Sequence, residues 1–219
     1  FKDIELLPLR LFVVAEKVGG QVLGAFDDQR MVAFCLAIPG LKAGGKYYLH
    51  SHMLGVMPDY RNSGLGRQLK LKQREEALAR GIDLIEWTFD PLEIKNAYFN
   101  IERLGAIIRR FVRNQYGTTS SHLHGGLPTD RCTAEWWIQS ERVSHILEQP
   151  PGDRPPIVAS IRVPADISKW KTADLPRARA VQEEVAAQFE RHFAARLAVT
   201  GFELSPDAGT YQLSQWESD

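Results

Sequence analysis

The sequence predicts a mixed α/β fold, and three stretches carry that prediction. Gln21–Ile38 reads as two strands joined at Asp27-Asp28, with the second strand beginning at Met31. Tyr47–Gly81 reads as strand, glycine turn and helix in succession. Leu175, Ala178, Val181, Val185, Phe189, Phe193 and Leu197 recur at spacings of three or four, one face of an amphipathic helix.

The remaining elements follow in chain order. Leu9–Lys17 is a short helix stopped at Gly19-Gly20. Gly40–Lys46 connects the hairpin to a strand over Tyr47–Val56, which completes a three-stranded antiparallel meander. Pro58–Gly66 is a turn, and Leu65–Arg80 is helical with Gly81 as its stop. Ile82–Phe89 is a short apolar strand that contains Glu86; Ala106–Val112 and Arg131–Ile138 are further strands. The Pro- and Gly-rich stretch Gln149–Pro156 marks a boundary between a domain over residues 1–148 and an extension over 157–219. In the extension, strands at Ile157–Val163 and Gly209–Trp216 flank the amphipathic helix, whose start fits Asp174 and Pro176. Such a βαβ-like unit has little core of its own and needs to pack on the first domain.

Composition narrows the class of function. Of 219 residues 44% are hydrophobic, and 27 basic residues balance 27 acidic ones. This is a globular composition without the bulk charge that draws a protein to nucleic acid or an anionic membrane. No apolar run reaches the length of a membrane span and no signal-peptide pattern opens the chain, so a cytoplasmic location is expected. Cys35 and Cys132 lack metal-ligand spacing and read as buried free thiols.

The strand–turn–helix unit points to an anionic ligand. A helix N-terminus after a glycine turn aims backbone N–H groups outward at an anion. Gly64 and Gly66 permit close approach, and Arg61 and Arg67 bracket the turn with positive charge. Neither the lysine-bearing phosphate loop nor the dinucleotide pattern is present. The turn reads Arg61-Asn62-Ser63-Gly64-Leu65-Gly66, an R-x-x-G-x-G, after a strand ending Leu54-Gly55-Val56 and a Pro58. That set resembles the GNAT N-acetyltransferase superfamily. The resemblance covers Gln21–Ile138 and implies a mostly antiparallel sheet flanked by helices. It implies that the turn, Arg61 to Arg67, holds the pyrophosphate of acetyl-CoA or another acyl-CoA. Leu54, Gly55 and Val56 would pair with the pantetheine arm, in a gap where the strands on either side of the helix splay apart. Asn96, with Leu104-Gly105 after it, matches a later helix and is expected near the pantetheine.

Two positions depart from the family's pattern. The resemblance implies a strand and a helix ahead of the meander, whereas Phe1–Gly20 leaves room for one helix. Many members place a tyrosine four residues before the glycine of Leu-Gly as the acid for the departing thiolate; Ile101 stands there, and Tyr98 is the nearest candidate, out of register. The run Trp87-Thr88-Phe89-Asp90-Pro91-Leu92 resembles a subgroup thought to use succinyl-CoA on amino acids, an alternative to acetyl transfer onto a small-molecule amine. A non-catalytic acyl-CoA binder is a further alternative.

Acyl transfer to an amine needs a base, donors for the thioester carbonyl and an acid for the leaving thiolate. Glu86 is the candidate base, because a carboxylate between Ile85 and Trp87 is costly to bury without a partner; an exposed edge position or a salt bridge to a nearby Arg is the equal alternative. Asp90, ahead of Pro91, reads as a turn residue, and His50 and His52 share one strand face as structural histidines. His122 and His124 lie in a Gly/Ser/Thr-rich loop, and no zinc or other metal set emerges. Tyr116 and Arg131 are candidates for the acceptor, Arg131 for its bidentate grip on a carboxylate, against an ion pair with Asp130. Trp136 and Trp137 face opposite sides of their strand, so at least one is core. Unpaired strand edges make a homodimer plausible.

Overall fold

The computed structural model describes residues 7–117, 126–148 and 154–216. His122, His124 and most of the Gln149–Pro156 boundary lie outside the described residues. The chain divides into two compact units, one of Leu6–Trp87 with Trp136–Ser144, the other chiefly of Thr88–Glu135 and His145–Asp219.

The first unit is the meander and its helices. Strands β1 (Gln21–Asp27) and β2 (Arg30–Leu41) form the hairpin, with Asp28 at positive φ in the turn, a conformation that aspartate tolerates. Strand β3 (Tyr47–Val56) pairs antiparallel with β2. The register steps from Leu36↔Met53 to Ala37↔Ser51, so His52 is an extra residue, a bulge that adds twist to β3. Strand β2 runs past Ile38, where sequence reasoning stops it, through Pro39 and Gly40. Proline fits there because the β1 pairing ends at Gln21↔Ala37, so Pro39 meets no ladder on that side.

Helix α1 (Leu9–Lys17) sets Phe12 edge-on to Phe34 at 6.0 Å and buries Ala15. Helix α2 (Leu65–Ala79) turns Leu69, Lys70, Gln73 and Ala77 inward and packs on β1, β2 and β3. Around Leu69 the apolar contact is made by Ala33 and Cys35, with Leu23, Leu54 and Val56 beside them. Strand β4 (Leu84–Phe89) follows and pairs in parallel with β3.

In the second unit helix α3 (Ile94–Tyr98) passes into a π-helical turn, Phe99–Arg103, and Gly105 at φ +82° ends it. Strands β5 (Ile107–Val112) and β6 (Arg131–Trp137) pair antiparallel. Helix α4 (Glu141–Glu148) starts at Ser140, whose hydroxyl accepts from the Val143 N–H. Strand β7 (Ala159–Pro164), helices α5 (Ile167–Ala173) and α6 (Leu175–Ala194), and strands β8 (Leu197–Leu204) and β9 (Ala208–Gln215) complete the chain. The strand order β6-β5-β8-β9-β7 is antiparallel in every one of the pairs β5–β6, β5–β8, β8–β9 and β7–β9. Phe189 of α6 is its centre, stacked on Phe111 at 5.5 Å and edge-on to Tyr211 at 5.1 Å.

The extension therefore holds two helices and three strands where the sequence suggests one helix and two strands. Leu197, counted in the helical stripe, opens β8 instead: α6 ends at Ala194, and Arg196 at positive φ turns the chain. Its spacing continued the helical period because a buried strand residue is apolar too. In the first unit, a Cβ on Gly20 would lie 2.6 Å from the Ala15 carbonyl oxygen and nearer still to that of Ala37. Both are backbone atoms that cannot yield, so Gly20→Ala is expected to destabilise by about 1–3 kcal/mol. For a chain of this length that is a fall in melting temperature of roughly 2–4 °C per kcal/mol, read by thermal denaturation.

Candidate active site

The turn after β3 is built for an anion. Pro58–Tyr60 forms one 3₁₀ turn, Asn62 and Gly64 take positive φ, and α2 begins at Leu65. Gly64 is the N-cap residue with no side-chain cap, and the helix's first turn has no acidic residue. The N–H groups of Leu65, Gly66 and Arg67 thus precede the first intrahelical bond, from Gln68 to Gly64. A Cβ at Gly64 would meet nothing within 4 Å, so its glycine is required by φ +85°. A Cβ added at Gly66 would meet Leu54 and Val56 at ordinary contact distance, so the helix start lies beside the end of β3. Arg61 Nε donates to the Val56 carbonyl at 3.3 Å, and Ser63 Oγ donates to that of Tyr60 at 2.6 Å. Arg67 Nε is buried and has no hydrogen-bond partner among the described residues. A donor left buried and unmet beside a helix N-terminus is what a bound anion would satisfy.

The strand leading into the turn is open along one edge. The β3–β4 ladder consists of Leu49↔Ile85 and His50↔Glu86, after which β3 runs on from Ser51 to Val56 with no β4 partner. The His52 bulge stands where the pairing stops. Leu54–Val56 therefore stays in register with β2 on one edge, and on its other edge, where the Val56 carbonyl accepts from Arg61 Nε, no strand pairs with it among the described residues.

Two buried charges flank the parting. Glu86, 3% exposed, faces away from α2, and its Oε1 is 2.6 Å from Lys42 Nζ. Its burial is thus compensated, by a lysine rather than the arginine or the exposed position that sequence reasoning allows. Lys70, 4% exposed, approaches from α2. Its Nζ donates to Ser51 Oγ at 2.7 Å and Gln73 Oε1 at 3.1 Å, and lies 3.8 Å from the centroid of the Trp87 ring. Gln73 in turn donates to Cys35 Sγ and accepts a bond from Gln21 through its backbone carbonyl. Burial pulls Lys70 down to about 8, with only a small opposing effect from Cys35. Sequence reasoning missed Lys70: in a helix of mean polar character a lysine reads as solvated, and only its place between Leu69 and Gln73 on the inner face hints otherwise.

Residues 4–105 match the acetyltransferase (GNAT) family. The matched stretch is a little under half of the 219 residues, and over it the chain is similar to that family. No curated protein matches the sequence at a significant level. Among solved structures, the NatC complex bound to Gag peptide and CoA is 14% identical, with a TM-score of 0.50 over 60% of this chain and 80% of that one. Ribosomal-protein-S18-alanine N-acetyltransferase from Escherichia coli is 20% identical, with a TM-score of 0.47 over 67% and 81%. Arabidopsis thaliana Naa50 with a bisubstrate analogue is 17% identical, with a TM-score of 0.48 over 59% and 80%. At these identities the likeness concerns the fold.

The other GNAT candidates lie in the second unit. Asn96 and Tyr98 are on α3, and Ile101 is fully buried in the π-helical turn, where an aliphatic side chain offers no proton. Tyr116, 49% exposed, shares a 2.8 Å hydrogen bond with Thr88, and the Arg131 guanidinium lies 5.4 Å from its ring centroid. Arg131 also donates to the backbone carbonyl of Asp130, whose carboxylate accepts from the Asn114 N–H. Asp90 accepts the Leu92 N–H at 2.8 Å, the turn role its position suggests. His50 and His52 share a face, with ring centroids 6.1 Å apart. Both cysteines are buried, and burial pushes the Cys132 thiol up, so it offers no thiolate nucleophile at neutral pH. Among the described residues no group of three His, Cys, Asp or Glu is arranged for a metal, and no helix is long and apolar enough to cross a membrane.

Lys70 gives this unit a pH signature. Its folded pKa, about 8, lies below the unfolded value of 10.5, so between these the unfolded chain holds more protons and stability rises with pH. The gain is on the order of 3 kcal/mol for the shift. Urea denaturation at pH 8 and pH 10.5 is expected to show it in the parent protein, with this component missing from Lys70→Met.

Proposed function

We propose that this protein is a GNAT-type, acyl-CoA-dependent N-acyltransferase that uses acetyl-CoA and a small-molecule amine. The observation that carries this is the uncapped start of α2, with its free N–H groups and the unmet Nε of Arg67 beside the open edge of β3. The coenzyme's phosphates meet the N–H groups of Leu65 to Arg67 under Arg61 and Arg67. Asn62 and Ser63 shape the turn, and the pantetheine amides pair with the edge at Leu54–Val56. Gly55 leaves room for the thioester carbonyl to accept a backbone N–H there. The acceptor amine attacks the thioester directly, without a covalent enzyme intermediate, in keeping with the buried cysteines. Glu86 is the base in this reading, drawing the proton through solvent because Lys42 already holds its carboxylate. The resemblance assigns Asn96 as a pantetheine contact; Tyr98, out of register with the family's tyrosine, is the nearest candidate acid, and Tyr116 and Arg131 are acceptor contacts by their own side-chain chemistry. The location proposed for the reaction is the cytoplasm.

A second reading, a non-catalytic acyl-CoA binder, is favoured by one observation, the buried Ile101 where many relatives keep an acid. It binds coenzyme but turns nothing over with any amine.

Calorimetric titration with acetyl-CoA, succinyl-CoA and CoA tests the turn. Binding is expected, with preference among the three fixing the donor. Arg61→Glu and Gly64→Tyr are each expected to weaken CoA at least about tenfold, which is roughly 1.4 kcal/mol. Affinity unchanged in both variants would sink the assignment of this turn, and release of thiol in the presence of an amine panel separates enzyme from binder.

A further inference from the structure

The ladder between β3 and β4 ends at His50↔Glu86, and the next residues in register are Ser51 and Trp87. These are the two residues that Lys70 touches across the parting: it donates to Ser51 Oγ at 2.7 Å and lies 3.8 Å from the Trp87 ring centroid. The ammonium thus stands at the apex of the wedge between the strands. Among the described residues no carboxylate holds it there: its partners are a hydroxyl, an amide oxygen and an aromatic face, with the Cys35 thiol nearby. A buried cation without a counter-charge is expensive and is retained where a ligand completes it. At the same time the acid expected from the helix at Ile101 is absent.

We propose that Lys70, in place of Tyr98, is the catalytic cation that receives the leaving thiolate of the coenzyme. This rests on the acyl-CoA reading of the turn. When the tetrahedral intermediate collapses, the C–S bond breaks and its electron pair goes to sulfur. A proton from Lys70 Nζ passes to that sulfur, which leaves CoA thiol and a neutral amine. Of the two protons the acceptor ammonium sheds, one replaces the proton given by Lys70 through water and the other goes to solvent. The lysine's depressed pKa, about 8, suits a group that must hold a proton at neutral pH and give it up readily. Ser51 and Gln73 orient the ammonium, and Trp87 keeps one side dry.

The test uses free CoA and needs no acceptor. The thiolate absorbance of CoA bound to the whole protein is followed against pH in the parent, Lys70→Met and Lys70→Arg. An ammonium against the sulfur lowers the thiol's pKa by about one unit or more, so the bound thiol is expected to ionise at least tenfold more readily than that of free CoA. Lys70→Arg keeps the charge and is expected to keep the effect, while Lys70→Met abolishes it. Equal ionisation in the parent and Lys70→Met, with CoA bound by both, overturns the proposal and leaves the turn standing. If Lys70→Met does not fold, the parent decides alone: a bound thiol no more acidic than free CoA's overturns the proposal. A parent protein that binds no CoA overturns the turn and the proposal together.

Discussion

The parallel ladder between β3 and β4 lasts for two residue pairs, and the arrangement of the first unit depends on where it stops. A parallel pair that ends while both strands continue leaves backbone groups with nowhere internal to go. Here the His52 bulge adds twist at the same point and turns β3 away. The freed edge at Leu54–Val56 runs straight into the turn whose N–H groups are also unmet. Edge and helix start are two consequences of one geometry: the strand that leaves its neighbour delivers the chain to the helix that begins beside the gap.

Much of this was legible in the sequence, because local chemistry dictates it. Apolar, β-rich runs broken at Asp27-Asp28 and at Gly40–Lys46 placed β1, β2 and β3; the glycines and the proline placed the turn; Gly81 stopped α2 within a residue or two of where it ends. The need for a buried Glu86 to have a partner was legible as well, although not that the partner is Lys42, which lies beyond the end of β2. What was not legible depended on contacts distant in sequence. The bulge at His52 is a property of pairing with β2, not of the residues around it. Strand β8 hid behind Leu197 and the pair Thr200-Gly201, which resembles a turn until the register shift between Val199 and Gly201 accommodates it. Lys70 hid for the simplest reason, that a lysine in a polar helix is usually wet.

The second unit shows why the charge of Lys70 stands out. Lys171 of α5 is nearly as buried, yet it bridges Asp90 at 2.9 Å and Glu93 at 2.8 Å. Burial alone draws its pKa down, but the two carboxylates more than offset this and its pKa is raised. Lys70 has the same side chain in a comparable depth of protein, with no carboxylate to pair it, and its pKa falls to about 8. The pair forms an internal control: burial is common to both, and the counter-charge is the difference. Lys171 is also the simpler case to explain, because it clamps the loop between β4 and α3, where Tyr211 adds a hydrogen bond to the Pro91 carbonyl. Glu102 does the same for the π-helical turn, accepting from the Phe202 N–H and from Arg154. The extension thus fixes the segment that carries Asn96 and Tyr98, by contacts that arise some eighty to one hundred and twenty positions later in the chain. Every charge in that clamp is answered within the fold. Among the described residues no carboxylate answers the ammonium at the parting of β3 and β4, in contrast to Lys171 and to Glu86, which is why the anion proposed for Lys70 is one brought by a ligand.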